Sequence, residues 1–182
     1  MRIIAGKAGR IAIKVPSAVA RPTTDFVRQA VFSILGEKVE HARVLDLFAG
    51  SGALGLEALS RGAKSCTFVD EHRQAVSVIQ ENLAKARLDG GHAVKSAVTP
   101  FVQRDTATYD LIFADPPNWK FYGDKDQVTD LLKGGLIPPR LATDGWLIVE
   151  ISSTQKSPEC GDFTVISRRE YGSSAIIIYR AT

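Results

Sequence analysis

The sequence predicts an α/β fold: a mostly parallel, seven-stranded sheet with an antiparallel C-terminal edge, preceded by a small basic hairpin-and-helix extension. Three observations carry this. Between residues 43 and about 151, short apolar runs alternate with amphipathic stretches, the pattern of crossover units that cover both faces of a parallel sheet. A glycine-rich turn follows the first of those runs. The last two runs follow one another with no helix between them, so they pair antiparallel at the sheet edge. At 182 residues, 45% hydrophobic and 24% charged, the chain is long enough to bury a core as one domain. Residues 1–40 are expected to be the extension and 43–182 the core.

The elements follow in order. Arg2-Ile3-Ile4-Ala5 and Arg10-Ile11-Ala12-Ile13 around Gly6 and Gly9 read as a small hairpin. In Arg21-Pro22-Thr23-Thr24-Asp25, Thr24 or a neighbour can cap a helix; that helix is expected to bury Phe26, Ala30, Val31, Ile34 and Leu35 and to stop at Gly36. Strands are predicted over Val44–Phe48, Cys66–Val69, His92–Lys95, Leu111–Ala114 and Trp146–Ile151. Helices are predicted over Ala53–Arg61, Arg73–Arg87, near Pro100–Gln103, and over Gln127–Lys133. In the tail, Phe163–Ser167 and Ala175–Tyr179 flank Tyr171-Gly172 as the antiparallel pair.

Composition removes several classes. No apolar run approaches the roughly 20 residues that span a bilayer, and Met1–Lys7 lacks a signal-peptide core, so the expected setting is the cytoplasm without a membrane. Two cysteines, Cys66 and Cys160, make no disulfide framework. His41, His72 and His92 have no ligand spacing, so no metal is expected. The net charge of +3 is unevenly placed: residues 1–43 carry eight basic and three acidic residues, and the remainder 15 and 17. A basic arm on a mildly acidic body suits a polyanion.

Chemistry belongs at the carboxyl ends of the strands, near the point where the order of strands reverses. The first strand ends in Asp46-Leu47-Phe48-Ala49-Gly50-Ser51-Gly52-Ala53-Leu54-Gly55. Gly50, Gly52 and Gly55 match the dinucleotide pattern, and Asp70 lies about 20 residues on, where ribose hydroxyls are held. A nicotinamide enzyme fits that much. Yet a pyrophosphate wants cations and helix dipole, whereas Asp46, Asp70 and Asp115 make the rim acidic. S-adenosylmethionine, with a sulfonium and an ammonium against one carboxylate, is the better match.

The fourth strand runs into Asp115-Pro116-Pro117-Asn118. Two prolines stop the ladder and hold the chain extended, leaving the Asp115 carboxylate and the Pro116 carbonyl as fixed acceptors. An aromatic amine is a poor nucleophile, because its lone pair is delocalised into the ring. Two acceptors on its hydrogens favour the pyramidal form and aim the lone pair at a methyl donor, which is positioning and electrostatics.

Together, Val44–Gly52 and Asp115-Pro116-Pro117 resemble the class I methyltransferases that act on base amines. Arg21-Pro22-Thr23-x-Asp25-x-x-Arg28, Leu54–Ala63 and Tyr171-Gly172 resemble, more closely, the RsmD-type 16S ribosomal RNA (guanine-N2)-methyltransferases, over essentially the whole chain. The resemblance implies a Rossmann-like sheet and an S-adenosylmethionine site built on Asp46, Phe48, Gly50, Gly52 and Asp70. It implies methyl transfer to a guanine amine held by Asp115, Pro116 and Asn118. The substrate would be 16S ribosomal RNA or a small-subunit assembly intermediate, contacted through Arg10, Arg21, Asp25 and Arg28 by a protein expected to be a monomer. The chain departs from the family twice. Asn118 stands where a tyrosine normally stacks on the extruded base, so Trp119, Phe121 or Tyr122 takes that role. Lys95-Ser96 stands where an acidic residue normally faces the adenine amine, making Ser96 the candidate there. Adenine-N6 methylation of DNA shares the tetrad, and a non-catalytic RNA-binding protein would keep the fold.

Overall fold

The structure is a computed structural model and describes residues 1–17, 23–116 and 127–182. Seven strands form one sheet in the order β3-β2-β1-β4-β5-β7-β6. The strands are β1 (Arg43–Leu47), β2 (Ser65–Asp70), β3 (Gly91–Lys95), β4 (Tyr109–Ala114), β5 (Leu141–Ser152), β6 (Phe163–Tyr171) and β7 (Ser174–Ala181). The first five are parallel, and β7 runs antiparallel between β5 and β6. The order reverses between β1 and β4, which puts the switch point where the sequence reading sought it.

Helices cover both faces, because each central strand is apolar on both sides and must bury both. On one face α1 (Asp25–Leu35), α2 (Ala53–Ser60) and α3 (Arg73–Ala86) pack over Val44, Phe68, Leu111, Phe113, Ile148, Ile176 and Ile178. On the other, α4 (Val98–Arg104) and α5 (Gln127–Lys133) pack over Leu45, Leu47, Ile112, Leu147, Val149 and Ile177. Among the described residues, no helix is long and apolar enough to cross a membrane.

Element boundaries agree with the sequence reading to a few residues except in β5, which begins at Leu141 and not near Trp146. Thr143 and Asp144 are exposed and Asp144 has positive φ, so the first part of that strand carries no apolar run. The buried face of α1 is also different. Thr24 caps it as expected, accepting from the Val27 N–H, but the face that packs is Val27, Arg28, Val31, Phe32 and Leu35, while Phe26 is 69% exposed. Phe26 meets Tyr171 edge to face, at 5.8 Å between centroids.

The hairpin at the N-terminus is held by one antiparallel bridge, Arg2 with Ala12, and by side chains of the core. The Glu57 carboxylate, fully buried in α2, accepts from the N–H groups of Ile4 (2.7 Å) and Ala5 (3.1 Å) and from Arg61 Nε (2.7 Å). Asn82, fully buried in α3, accepts from Lys14 N–H at 2.8 Å and donates to the Lys14 carbonyl at 3.0 Å and to that of Ser51 at 3.1 Å. Gly6 is a requirement of this docking, since a Cβ there would sit 1.9 Å from the Ser60 carbonyl oxygen.

Candidate active site

The loop after β1 is the first part of the site. Phe48, Gly50 and Gly52 all have positive φ, at 60°, 54° and 77°. Glycine takes that region freely, but Phe48 is a non-glycine outlier of the kind that tight functional turns hold in place. Gly55 answers a packing need: a Cβ would fall 2.3 Å from the Phe68 ring and 2.5 Å from Cys66 Sγ, so α2 could not lie this close to β2.

Two aspartates tie the loop down through backbone amides. Asp70, the last residue of β2, accepts from Gly50 N–H at 2.9 Å and from His72 N–H at 2.8 Å, one on each oxygen. Asp46, 2% exposed, accepts from Gly55 N–H at 3.0 Å. Burial pushes the Asp46 carboxyl well above the usual carboxylate range; the Gly55 N–H opposes this, while Asp115 and Asp70 add to it. Asp46 therefore braces the loop from β1 and Asp70, also buried, braces it from the end of β2. Ser96 N–H donates to the Asp70 carbonyl at 3.0 Å, and its hydroxyl to Ala97 O at 2.9 Å, so β3 ends beside the same corner.

The second part of the site lies across the switch point. Asp115 follows β4 directly and is half-buried, and Pro116 is buried. Thr23 Oγ1 donates to Asp115 Oδ2 at 2.7 Å and lies 3.3 Å from Glu150 Oε2, whose partner oxygen accepts from Ser174 Oγ at 2.7 Å. Thr23, Asp115 and Glu150 lie together over the buried side chains of Val31, Phe113, Ile148 and Ile176, with Leu54 beside them.

The other expected residues divide. Arg10 is exposed. Asp25 pairs with Arg2 at 3.5 Å and with Arg28 at 2.7 Å. Arg28 corrects the sequence reading: it is fully buried, with Nη2 also on the Arg2 carbonyl at 2.7 Å. A phosphate cannot reach it there, and it fastens α1 to the hairpin. Arg21, Pro117, Asn118, Trp119, Phe121 and Tyr122 lie outside the described residues. Sequence reasoning missed Thr23, Glu57, Asn82, Glu150 and Ser174. A charge inside an otherwise apolar helix or strand, as at Glu57 and Glu150, is the trace that could have found two of them.

A parallel sheet with this strand order, a glycine loop after β1 and carboxylates gathered where β1, β2 and β4 end defines a class I, Rossmann-like methyltransferase. The residues fit a cationic donor: Asp115 and Asp70 both add to the raising of Asp46, and a sulfonium with an ammonium would offset that negative charge. The family described as Conserved hypothetical protein 95 matches residues 1–180, and the chain belongs to it as an RsmD-type methyltransferase. It is 35% identical to the YlbH protein of Bacillus subtilis (strain 168) over 99% of this chain and 98% of that one. It is 38% identical to Ribosomal RNA small subunit methyltransferase D of Escherichia coli (strain K12) over 64% of this chain and 60% of that protein. Among solved structures, the yhhF protein of Escherichia coli superposes with a TM-score of 0.84 at 30% identity, covering 100% and 97% of the two chains. A hypothetical protein of Thermus thermophilus gives 0.81, again at 30% identity, over 98% of each.

Proposed function

We propose that this chain transfers a methyl group from S-adenosylmethionine to the N2 amine of a guanine in small-subunit (16S) ribosomal RNA. The observation that carries the reading is Asp115, set by β4 at the switch point, half-buried and fixed by Thr23. When bound, the donor supplies an electrophilic methyl on a sulfonium. Asp70 at the end of β2 would hold the ribose, Ser96 the adenine amine, and Phe48, Gly50 and Gly52 would shape the floor, with Asp46 bracing it. Asp115 and the Pro116 carbonyl would accept from the target amine and aim its lone pair, stabilising the positive charge that develops on nitrogen. Asn118 and one of Trp119, Phe121 and Tyr122 would complete the base pocket.

RNA would meet the basic extension. Arg2, Lys7 and Arg10 are exposed on a segment that Glu57 and Asn82 fasten to the core, so their charges are presented from a rigid platform. The extension and core would act as one domain, and the protein as a monomer in the cytoplasm. The test is single-turnover transfer of labelled methyl to small-subunit ribosomal RNA, naked and assembled with its early proteins, followed by mapping of the modified nucleotide. Transfer to a guanine amine is the expected result. No transfer to either form, or modification of another base, overturns the reading.

A further inference from the structure

Glu150 has no place in the chemistry above, yet it is built into the site. It interrupts the apolar run of β5 between Val149 and Ile151, both buried, where an apolar residue would be the cheaper choice. Thr23 Oγ1 lies 2.7 Å from Asp115 Oδ2 and 3.3 Å from Glu150 Oε2. A threonine hydroxyl has one hydrogen, and the shorter contact takes it. Two carboxylates on neighbouring strands therefore face each other across one oxygen. Among the described residues no cation pairs with Glu150; its donor is the Ser174 hydroxyl.

Two carboxylate acceptors set side by side suit a ligand that presents two N–H donors side by side. Guanine does so, with N1–H next to its N2 amine. Adenine sets a bare N1 acceptor next to its N6 amine, and a carboxylate facing that lone pair is repelled. A carboxylate offers about four lone-pair directions, so the Ser174 hydroxyl leaves Glu150 capacity to accept. We infer that Glu150 is the residue that selects guanine: it accepts from N1–H while Asp115 accepts from the N2 amine, and Thr23 sets the spacing between them. This rests on the methyl-transfer reading above and adds the reason for its base choice.

The experiment replaces the methylated guanine with 2-aminopurine, which keeps the amine and lacks N1–H. Wild type should prefer guanine by about 10–100-fold in kcat/KM, the range for one hydrogen bond to a charged acceptor. In Glu150→Gln the amide can turn its N–H toward the bare N1, so the preference should collapse toward unity. Asp115→Ala should lower both substrates together. A purely structural Glu150 would lower both equally as well, so an unchanged preference in Glu150→Gln, or none in wild type, overturns the inference. Should Glu150→Gln fail to fold, Glu150→Asp keeps the charge, shortens the reach and is read by the same ratio. A binding measurement separates this from failure of the methyl-transfer reading. With S-adenosylhomocysteine present, NMR titration should show guanosine binding wild type more tightly than 2-aminopurine riboside. Equal affinities overturn the selection role even if no RNA is methylated.

Discussion

The two halves of the site are held by different means. At the donor corner, Asp70 and Asp46 fix the 48–55 loop by accepting from backbone amides of Gly50, His72 and Gly55. Those contacts span 20 residues or fewer. At the acceptor edge, Asp115 is positioned by a hydroxyl from Thr23, 92 residues away, which also contacts Glu150, 127 residues away. The first corner is set mainly by local backbone geometry, with Asn82 also joining Ser51 of the loop to Lys14 of the extension. The second depends on the extension being docked, and Glu57 and Asn82 dock it. Donor binding should therefore be less sensitive than transfer to changes in the extension.

The largest test of that contrast is Asp115→Ala. It should lose roughly 10²–10³ in kcat, the cost of one preorganised electrostatic contact, with donor affinity kept. Single-turnover rates beside calorimetry read both, and a mutant that transfers at the wild-type rate removes Asp115 from the reaction. Asp70→Ala reverses the pattern. Losing a charge-assisted ribose contact should weaken donor binding by about 1.5–3 kcal/mol, and NAD should bind neither protein measurably. Calorimetry that finds NAD tighter than the methyl donor would falsify the donor assignment.

A smaller effect is expected at the extension. RNA affinity should fall with salt at a log–log slope of about −0.7 per phosphate contact. Arg10→Ala should flatten the slope by about one such contact while leaving donor affinity alone. An unchanged slope would make Arg10 only a solvated residue.

The smallest concerns Asp46. Its carboxyl is held above 3.8 chiefly by burial, so the fold favours the protonated form. That contribution is complete below about 3.8 and is lost as pH rises through the elevated native value. Asp46→Asn keeps an acceptor for Gly55 N–H without the charge. Its melting temperature should gain on wild type between mildly acid and neutral pH, and a constant gap would discount burial as the cause.

The same contrast explains what was legible in the sequence. The donor corner could be read directly, because glycines, a strand-ending aspartate and their spacing are local. The sheet could be read for a similar reason, with short apolar runs alternating with helices. The acceptor edge could be read only in part. Asp115-Pro116 stands out as a dipeptide, but nothing local pairs it with Thr23 or Glu150. The face of α1 was misread because Phe26, apolar and at the right spacing, packs against Tyr171 at the surface and leaves the interior to Val27 and Phe32. Arg28 looked like a phosphate ligand because its charge is visible in sequence and its burial is not.

The far side of the sheet carries a consequence of its own. β6 is an edge strand nine residues long, with Val165 and Ile166 exposed at 40% and 39%. An open ladder of that length invites a second chain to add on. Its pairing with β7 slips between Val165 and Ser167, and Arg168, Arg169 and Glu170 follow. The extra residue twists the edge away from a flat template, and the charges would have to shed water to stack. Solubility at this edge therefore leans in part on one surplus isoleucine: removing Ile166 should straighten the ladder and raise self-association, read as light scattering that grows with concentration.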